Sequence, residues 1–567
     1  MFERIKHSSI IKKIISLSIN CEIAIIIVGI LLRVRHYLSN CSLWTDETYV
    51  ALSIVGRSLS EIIRHVVIFP ELAKAPLGFL VFEKIAILTT GNTELVLKFF
   101  PFLFGTGALI LFYFFLKRYF SYGVRSWSLV LFALSPILVY YSAEVKQYSM
   151  DVFFALVLLL FIPFFKIQQL NLKKIFFLSF LGASVVWFSN ACLFVLVGIG
   201  ATMCLEILTK KEWKKIFFVT PIFTAWITSL AGLYQISFKH MVSMDSLTSS
   251  WPGAFGPKPF FTIEGATWLK TVFSEMFINP GAMAFPLFCG LLFFIGIIDL
   301  FRKERKLCCY LGIPIFITLL AAILGKYPFR GRLLIFLVPS LIIFVIHGIF
   351  WISSFFRKYK TITVFFLVFI ISHSALIKTS NSFVSSYCQQ DNRKMLSTFK
   401  EKYKEGDIFF STPHGLLAFW YYSTSLNYGS FFPKTEFPTI PFLRGIKVGR
   451  FSRFDVTGSD RYVTYLYEYV FLDSNNCFQR SLPEEKRYYI LKNNPVFNDI
   501  DAKRAWVFFS GPDSELQNIV IDSFSRRWQK IWQLEGRGAS IYLFNLENDI
   551  FNYYKNFEAS EQRGNIK

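Results

Sequence analysis

Charged residues are scarce in this sequence of 567 residues: they make up 17% of it, whereas 54% of the residues are hydrophobic. The mean hydropathy is +0.46, which lies outside the range of ordinary soluble domains. Runs of about 20 apolar residues, long enough to cross a bilayer core of roughly 30 Å as helices, recur along the chain. The composition therefore excludes a soluble globular protein and predicts an α-helical polytopic membrane protein.

Cysteine is also sparse, and its spacing carries no metal signature. The nine cysteines form no Cys-x-x-Cys pair, which argues against a structural zinc site. Cys388 and Cys477 lie in a polar region beyond the last apolar run, where the compartment permits disulfides. A bridge between these two cysteines and two free thiols are equally compatible with the sequence. We expect the cysteines in or beside apolar segments to be small buried hydrophobic residues: Cys21, Cys192, Cys204, Cys289, Cys308 and Cys309.

Acidic residues are outnumbered, with 38 Asp and Glu against 60 Lys and Arg, for a net charge of +22. The basic residues occur mainly in short clusters between apolar runs, not along the continuous stripe expected of a nucleic-acid binder. Such clusters are typical of the cytoplasmic loops of membrane proteins. The positive charge therefore indicates topology, and we expect no nucleic-acid partner.

Eleven spans place these basic clusters on one side of the membrane. The first, Ile14 to Val34, follows several basic residues and lacks a cleavage site, so we expect a signal anchor with a cytoplasmic N-terminus. The segment Pro76 to Leu88 is short and contains Glu83 and Lys84, which predicts an interfacial or half-inserted helix. The remaining spans are predicted at residues 94–116, 124–141, 148–165, 175–189, 191–208, 216–236, 281–300, 307–324, 333–352 and 362–378.

The odd number of spans places residues 379–567 outside the cytoplasm, as a separate C-terminal α/β domain. Residues 1–378 form the predicted transmembrane domain, with large outer loops at about 35–93 and 237–280. We expect this topology in the plasma membrane of a bacterium. In the C-terminal domain, helical spacing and short apolar runs predict one helix and three strands: Asn392 to Lys404, Asp407 to Ser411, Ala505 to Ser510 and Ser540 to Leu546.

An acidic pair, Asp46 and Glu47, follows the first span within Leu43-Trp44-Thr45-Asp46-Glu47-Thr48. Adjacent carboxylates at a membrane surface can be solvated loop acids, or part of a helix cap that follows Thr45. The pair begins a loop that returns to the membrane, which favours a functional role. From the residues alone, both interpretations stay open.

Basic residues recur on the predicted outer side. Lys74 opens Lys74-Ala75-Pro76-Leu77, Lys98 lies near the outer end of the second span, and the late loop 326–332 contains Arg330 and Arg332. Arginine forks suit phosphate oxygens, and a cation beside the first turn of a helix can meet an anionic head group. The alternatives are snorkelling lysines and contacts to ordinary phospholipids.

A polar segment, Tyr141-Ser142-Ala143-Glu144-Val145-Lys146-Gln147-Tyr148, leads into the apolar run that contains Asp151. Glu144 and Asp151 are seven residues apart, so a continuous helix would place both on one face. A carboxylate at the start of a span is costly unless it faces a polar cavity or a partner, which makes Asp151 a functional candidate. The alternative is an acid that caps the helix at the boundary.

In this order, the motifs resemble the glycosyltransferase C (GT-C) superfamily, in particular family 39 and its bacterial relatives, which include protein O-mannosyltransferases and the lipid A aminoarabinose transferase. The resemblance extends to Asp391-Asn392-Arg393 and to the strand Gly538 to Phe544 near the C-terminus. It implies a GT-C fold of about 11 transmembrane helices, with residues 1–378 as the catalytic domain and an extracytoplasmic C-terminal α/β domain.

The resemblance also implies a reaction: inverting transfer of a sugar from a polyprenyl phosphate to a glycan, lipid or protein acceptor on the outer face of the membrane. Asp46 would be the general base and Glu47 would position the acceptor or the base. Some members use a divalent metal, but no spacing here demands one. The donor phosphate would be held by Lys74, Lys98, Arg330 and Arg332, with Glu144, Lys146, Tyr148 and Asp151 as a supporting outer-loop group.

Departures from the family pattern keep alternatives open. Ala75 replaces a proline and Arg330 a glycine, while Lys98 and Lys146 stand where arginine is common, which keeps the charge but loses bidentate geometry. A transporter or flippase of lipid-linked substrates could use the same cations, and an inactive scaffold is a third alternative. The large outer regions, and a sequence with no internal repeat, favour the transferase.

Overall fold

The computed structural model of the chain divides into two compact units. The first contains Met1–Asn40 and Arg57–Tyr387, and the second contains Cys41–Gly56 and Cys388–Lys567. The segment that carries the acidic pair thus groups by its contacts with the C-terminal residues, although it lies before most of the predicted spans. The structure describes residues 2–64, 75–237, 251–384, 387–404, 407–411, 415, 417–419, 421–422, 503–511, 517–518, 521–522, 524–525 and 528–547.

The first unit is helical, as its long apolar runs predict. Its early helices are α1 (Phe2–Leu38), α3 (Leu59–Ile63), α4 (Leu77–Thr90), α5 (Glu94–Tyr119), α6 (Tyr122–Ala133), α7 (Pro136–Tyr140), α8 (Tyr148–Leu160), α9 (Leu172–Phe188) and α10 (Cys192–Lys210), where α2 belongs to the second unit. Its later helices are α11 (Ile216–Ile236), α12 (Ile263–Ile278), α13 (Pro286–Lys303), α14 (Arg305–Ile323), α15 (Val338–Ser353) and α16 (Lys360–Val384).

Each predicted span overlaps a helix of the described chain, and a helix is confirmed at the predicted interfacial segment. Six helical segments of the described residues are long and apolar enough to cross a membrane, or seven if α6 and α7 form one bent span. The protein is therefore a mostly helical, multi-pass membrane protein, while the count of eleven spans and their orientation stay predictions. The six segments are Glu94–Tyr119, Cys192–Lys210, Trp213–Ile236, Arg305–Ile323, Gly331–Ser353 and Arg357–Ser382.

Helices α6 and α7 meet at an angle of 53° just before Pro136. Proline has no N–H to donate, so a helix that breaks there leaves carbonyl groups without their usual partners. Neighbouring helices supply donors: Arg33 Nη1 donates to Ala133 O at 3.2 Å, and Thr379 Oγ1 donates to Leu134 O at 2.7 Å. Side chains of α1 and α16 thus stabilise the bend.

The core of the first unit contains a very close helix crossing. A Cβ atom at Gly296 of α13 would lie 1.8 Å from Phe344 O, and one at Gly348 of α15 would lie 2.0 Å from Leu292 O. Glycine alone lets the two backbones approach this closely, as small residues do at interfaces between membrane helices.

Acidic side chains inside the helices pair with the basic clusters that the sequence places on the cytoplasmic side. Glu22 of α1 accepts from Arg125 Nε at 2.6 Å, and Glu206 of α10 pairs with Lys306 at 2.5 Å. Buried carboxylates in a membrane domain are costly unless paired. Some residues of the basic clusters therefore form ion pairs that connect neighbouring helices.

The described part of the second unit contains helices α2 (Thr45–Val55) and α17 (Asn392–Lys402) and a four-stranded sheet. The order is β1-β2-β4-β3, with β1 parallel to β2 and the other neighbours antiparallel. β1, β2 and β4 coincide with the predicted strands, whereas β3 was not predicted. Residues 423–502 of the predicted α/β domain lie outside the described residues. The strands are β1 (Ile408–Ser411), β2 (Arg504–Ser510), β3 (Gln529–Gly536) and β4 (Ala539–Asn545).

Candidate functional site

The acidic pair lies in the first turn of α2, where carboxylates are favoured by the helix dipole. Glu47 is buried, with 2% of its surface exposed, and its Oε2 accepts a hydrogen bond from Trp44 N at 3.2 Å. Asp46 is only partly buried. Glu47 therefore serves the start of the helix, and Asp46 is the more accessible carboxylate of the two.

A disulfide joins the segment before the acidic pair to the C-terminal part of the second unit. Cys41 and Cys388 are bonded, with their Cα atoms 5.3 Å apart. The bridge between Cys388 and Cys477 considered above is therefore wrong, since Cys388 is already paired, and Cys477 itself lies outside the described residues. A separation of 347 residues explains why sequence spacing gave no sign of this pairing.

Arg332 of the late basic loop lies between two aromatic rings of the first unit. Its guanidinium carbon is 5.2 Å from the ring centre of Trp251 and 5.8 Å from that of Tyr148. A cation over an aromatic face is attracted by the ring quadrupole, and guanidinium planes suit such stacking. The structure thus brings Tyr148 and Arg332 together, two residues that the sequence placed in separate motifs, and adds Trp251 from the second outer loop.

Main-chain hydrogen bonds fasten the segment 251–256 to the late basic loop and to the last turn of α14. Phe329 N donates to Ala254 O at 2.9 Å, and Gly256 N donates to Ala322 O at 3.1 Å. Gly331 has φ +50, a left-handed conformation that suits glycine between two bulky residues. These contacts fix the loop from which Arg332 extends.

Arg330 is held by two contacts within the first unit. Its Nη1 donates to Pro252 O at 2.6 Å, and its Nε lies 3.4 Å from a carboxylate oxygen of Glu275 in α12. The guanidinium therefore has a carbonyl and a carboxylate as partners within the protein. Arg330 therefore fastens the late basic loop to Pro252 and to α12.

Lys98 lies in the first turns of α5, with 2% of its surface exposed. Burial, and next the positive charge of Lys98, lower the pKa of His36 to about 4; His36 follows the predicted first span. His36 therefore stays neutral at physiological pH. The end of α1 and the start of α5 thus place a buried lysine near a neutral imidazole.

A row of aromatic rings runs from His36 to Arg332. The ring centres of His36 and Tyr140 are 5.6 Å apart, those of Tyr140 and Tyr141 5.0 Å, and those of Tyr141 and Tyr148 4.9 Å. Ring separations of this size are those of packed aromatic pairs. We call His36, Tyr140, Tyr141 and Tyr148 the aromatic row; it has Lys98 near one end and Arg332 at the other.

The segment from Tyr141 to Tyr148 is not one helix with α8, so the condition under which Glu144 and Asp151 would share a helix face is not met. Glu144 has extended backbone angles (φ −106, ψ 142) and α8 begins at Tyr148. Ser149 Oγ donates to Tyr141 O at 2.5 Å, one of the side-chain bonds that compete with a helix. Glu144 is buried and Lys146 is partly buried in this turn.

Asp151 is buried in the first turns of α8 and accepts a hydrogen bond from Ser189 Oγ at 2.6 Å. It joins α8 to the start of α10, where Cys192 N donates to the same Ser189 Oγ at 3.2 Å. In the late basic loop, burial and next the charge of Asp151 raise the pKa of Tyr327 well above its usual value. Asp151 therefore links α8 to the segment between α9 and α10.

Lys74, the remaining predicted phosphate-binding residue, lies outside the described residues. The described part of the chain contains no group of three or more His, Cys, Asp or Glu side chains that could hold a metal ion.

Trp251 and His36 were not predicted from the sequence as members of a site. Trp251 stood in a Trp-Pro-Gly turn that marks only a loop, and His36 is an isolated histidine beside an apolar run. Both become informative through their long-range partners, Arg332 and Tyr140.

No protein-family model and no curated protein matches the chain. Among solved structures, the chain is similar to ArnT from Cupriavidus metallidurans in the apo state, with 8% identity, a TM-score of 0.42, and coverage of 91% of this chain and 97% of that one. The values for the same protein bound to undecaprenyl phosphate are 9%, 0.44, 93% and 97%. Those for the Archaeoglobus fulgidus oligosaccharyltransferase tethered with an acceptor peptide are 9%, 0.43, 92% and 74%. The roles proposed below are argued from this chain's own residues.

Proposed function

We propose that the protein is a membrane glycosyltransferase that moves a sugar, with inversion, from a polyprenyl-phosphate donor to a glycan, lipid or protein acceptor on the outer face of the plasma membrane. The observation that carries the proposal is Arg332 held between Tyr148 and Trp251, because it presents an oriented guanidinium next to a membrane-spanning bundle. Lys98, buried near the aromatic row, adds a second cation to the same unit.

Cations suit this reaction because the bond from the sugar to the phosphate breaks with the electron pair moving onto the phosphate oxygen. Preplaced positive groups stabilise the negative charge that develops there. Arg332 has the planar fork that matches phosphate oxygens, and its two rings limit its motion. Lys98 would act as a point charge. In this proposal Arg330 supports the loop, and Lys74 keeps its expected role at the donor phosphate.

The acceptor hydroxyl forms the new bond at the anomeric carbon and loses its proton as attack proceeds. A carboxylate within hydrogen-bond reach can accept that proton, and general-base catalysis of this kind contributes about 10²- to 10⁴-fold. We assign this role to Asp46, because it is the more exposed carboxylate of the pair, and a supporting role to Glu47. A general acid that protonates the leaving group, as in glycoside hydrolysis, is not needed, because the polyprenyl phosphate leaves as an anion.

The test is an assay of the purified full-length protein in detergent with a panel of polyprenyl-phosphate sugars and a membrane extract as acceptor source. We expect wild type to release free polyprenyl phosphate. Asp46→Asn should lose about 10²-fold or more of this turnover while it retains donor binding. Arg332→Ala should weaken donor binding instead.

Other results would redirect the proposal. Full turnover by Asp46→Asn would contradict the base assignment alone. A well-folded wild type that releases no polyprenyl phosphate from any donor would contradict the transferase. Movement of the intact lipid-linked donor across a reconstituted bilayer in that case would indicate a flippase.

A further inference from the structure

The residues directly before the acidic pair are held by two amide side chains from the other end of the second unit. Gln390 Oε1 accepts from Thr45 N at 2.9 Å, and Gln390 Nε2 donates to Thr45 Oγ1 at 3.1 Å. Asn392 Nδ2 donates to Leu43 O at 3.0 Å. The main chain on both sides of Trp44 is therefore bound, immediately before Asp46.

These amides are part of a buried network and not of the solvent shell. Gln390 is 4% exposed and Asn392 0% exposed. Gln390 Oε1 also accepts from Ser510 Oγ at the end of β2, at 3.1 Å, and from Asn392 Nδ2 at 3.0 Å. Through Gln390, the start of α2 is thus tied to the central strand pair of the sheet.

Further contacts reinforce the same segment. Leu43 N donates to Tyr422 OH at 2.8 Å, and Arg393 N donates to Ser42 Oγ at 3.3 Å. Buried polar networks of this kind select one arrangement, because any displacement leaves several donors and acceptors unsatisfied. An apolar contact of equal area would stabilise the unit without fixing the rotation of the first turn of α2.

We propose that Gln390 and Asn392 are positioning residues for Asp46, so that the C-terminal region takes part in the transfer reaction. This inference rests on the proposed function for its catalytic half. A misplacement of about 1 Å at a reacting group can cost about 10²-fold in rate. Loss of the Gln390 network should therefore lower kcat, while binding of the donor, assigned to the first unit, should not change.

The experiment compares Gln390→Met, Gln390→Glu and Asn392→Leu in the full-length protein. Methionine keeps the length and removes every hydrogen bond, whereas glutamate keeps oxygens that accept from the Thr45, Ser510 and Asn392 donors. We expect Gln390→Met and Asn392→Leu to lower kcat by about 10- to 100-fold at unchanged KM for the donor. Gln390→Glu should restore most of the rate.

Trp506→Phe is the matched control. It removes the hydrogen bond from Trp506 Nε1 to Asp407 Oδ2 in the same buried sheet. None of the hydrogen bonds to residues 41–46 described above involves Trp506. It should lower the thermal stability of the second unit and leave kcat near that of wild type. A loss of rate in Trp506→Phe as large as in Gln390→Met would indicate a general folding effect and overturn the inference.

Hydrogen exchange supplies a readout that does not depend on catalysis. Peptides that cover residues 43–50 should exchange at least about tenfold faster in Gln390→Met than in wild type, since a tenfold change corresponds to a local opening made easier by about 1.4 kcal/mol. If wild type shows no transferase activity, the proposed function fails, while faster exchange still supports the positioning. Unchanged exchange together with a wild-type kcat in Gln390→Met would refute the positioning role of Gln390.

Discussion

Replacing Trp251 with alanine should weaken the binding of polyprenyl phosphate through Arg332. A cation–π contact contributes about 0.5–1 kcal/mol at an exposed site and about 2 kcal/mol or more when desolvated. Arg332 is partly buried, its guanidinium carbon is 5.2 Å from the Trp251 ring, and the Tyr148 ring at 5.8 Å would remain. We therefore expect a loss of about 0.5–2 kcal/mol, which is about a 2- to 30-fold increase in Kd.

The assay is equilibrium binding of a radiolabelled polyprenyl phosphate to the purified protein. Trp251→Phe keeps a ring and should retain most of the affinity. Phe261→Ala, at a residue of the same outer region that is 97% exposed, should bind as wild type does. The decisive comparison is a double-mutant cycle, because Trp251→Ala should have no further effect once Arg332 is alanine. An equal loss in the Arg332→Ala background would refute the reasoning.

Three further predictions concern stability. Cys41→Ser and Cys388→Ser should each lower the free energy of unfolding of the second unit by about 2–4 kcal/mol, measured by thermal denaturation, and mass mapping that finds Cys388 free would contradict the pairing. Gly348→Ala should cost about 1–3 kcal/mol because its Cβ would lie 2.0 Å from a carbonyl of α13; wild-type stability would exclude so close a crossing. Thr379→Val should lower the free energy of unfolding by about 1 kcal/mol, because the hydrogen bond to Leu134 O is lost. An unchanged melting temperature would show that the bend needs no donor at this position.

The helices of the first unit could be predicted because a membrane span needs an uninterrupted apolar run, and such runs are visible in any single sequence. The bend before Pro136 could not be placed, because its stability depends on Arg33 and Thr379, which are distant in the chain. A continuous helix from Glu144 to Asp151 does not form, and serine side chains bond to the main chain in this segment.

The C-terminal strands also include some that the sequence predicts and one that it does not. β2 and β4 have almost fully buried, apolar sequences and were predicted, whereas β3 is largely exposed at the edge of the sheet and has a polar sequence that resembles a loop. Pairing with β4 makes β3 a strand, and pairing partners are not visible in its own residues.

The candidate site was predictable as a set of residue types and not as an arrangement. Acidic and basic residues in unusual positions pointed to Asp46, Lys98 and Arg332. What holds each of them is distant in the sequence, as with Trp251 for Arg332 and Gln390 for the residues before Asp46. Charge pattern therefore selects candidate residues, while long-range packing decides how their side chains are oriented.

The disulfide between Cys41 and Cys388 also sets an order of events during biosynthesis. Cys41 is synthesised 347 residues before its partner, and every helix of the first unit after α2 is made in between. The acidic segment therefore stays untethered until the ribosome has completed almost the whole membrane bundle. A chain that ends before Cys388 carries Asp46 without this disulfide and without Gln390.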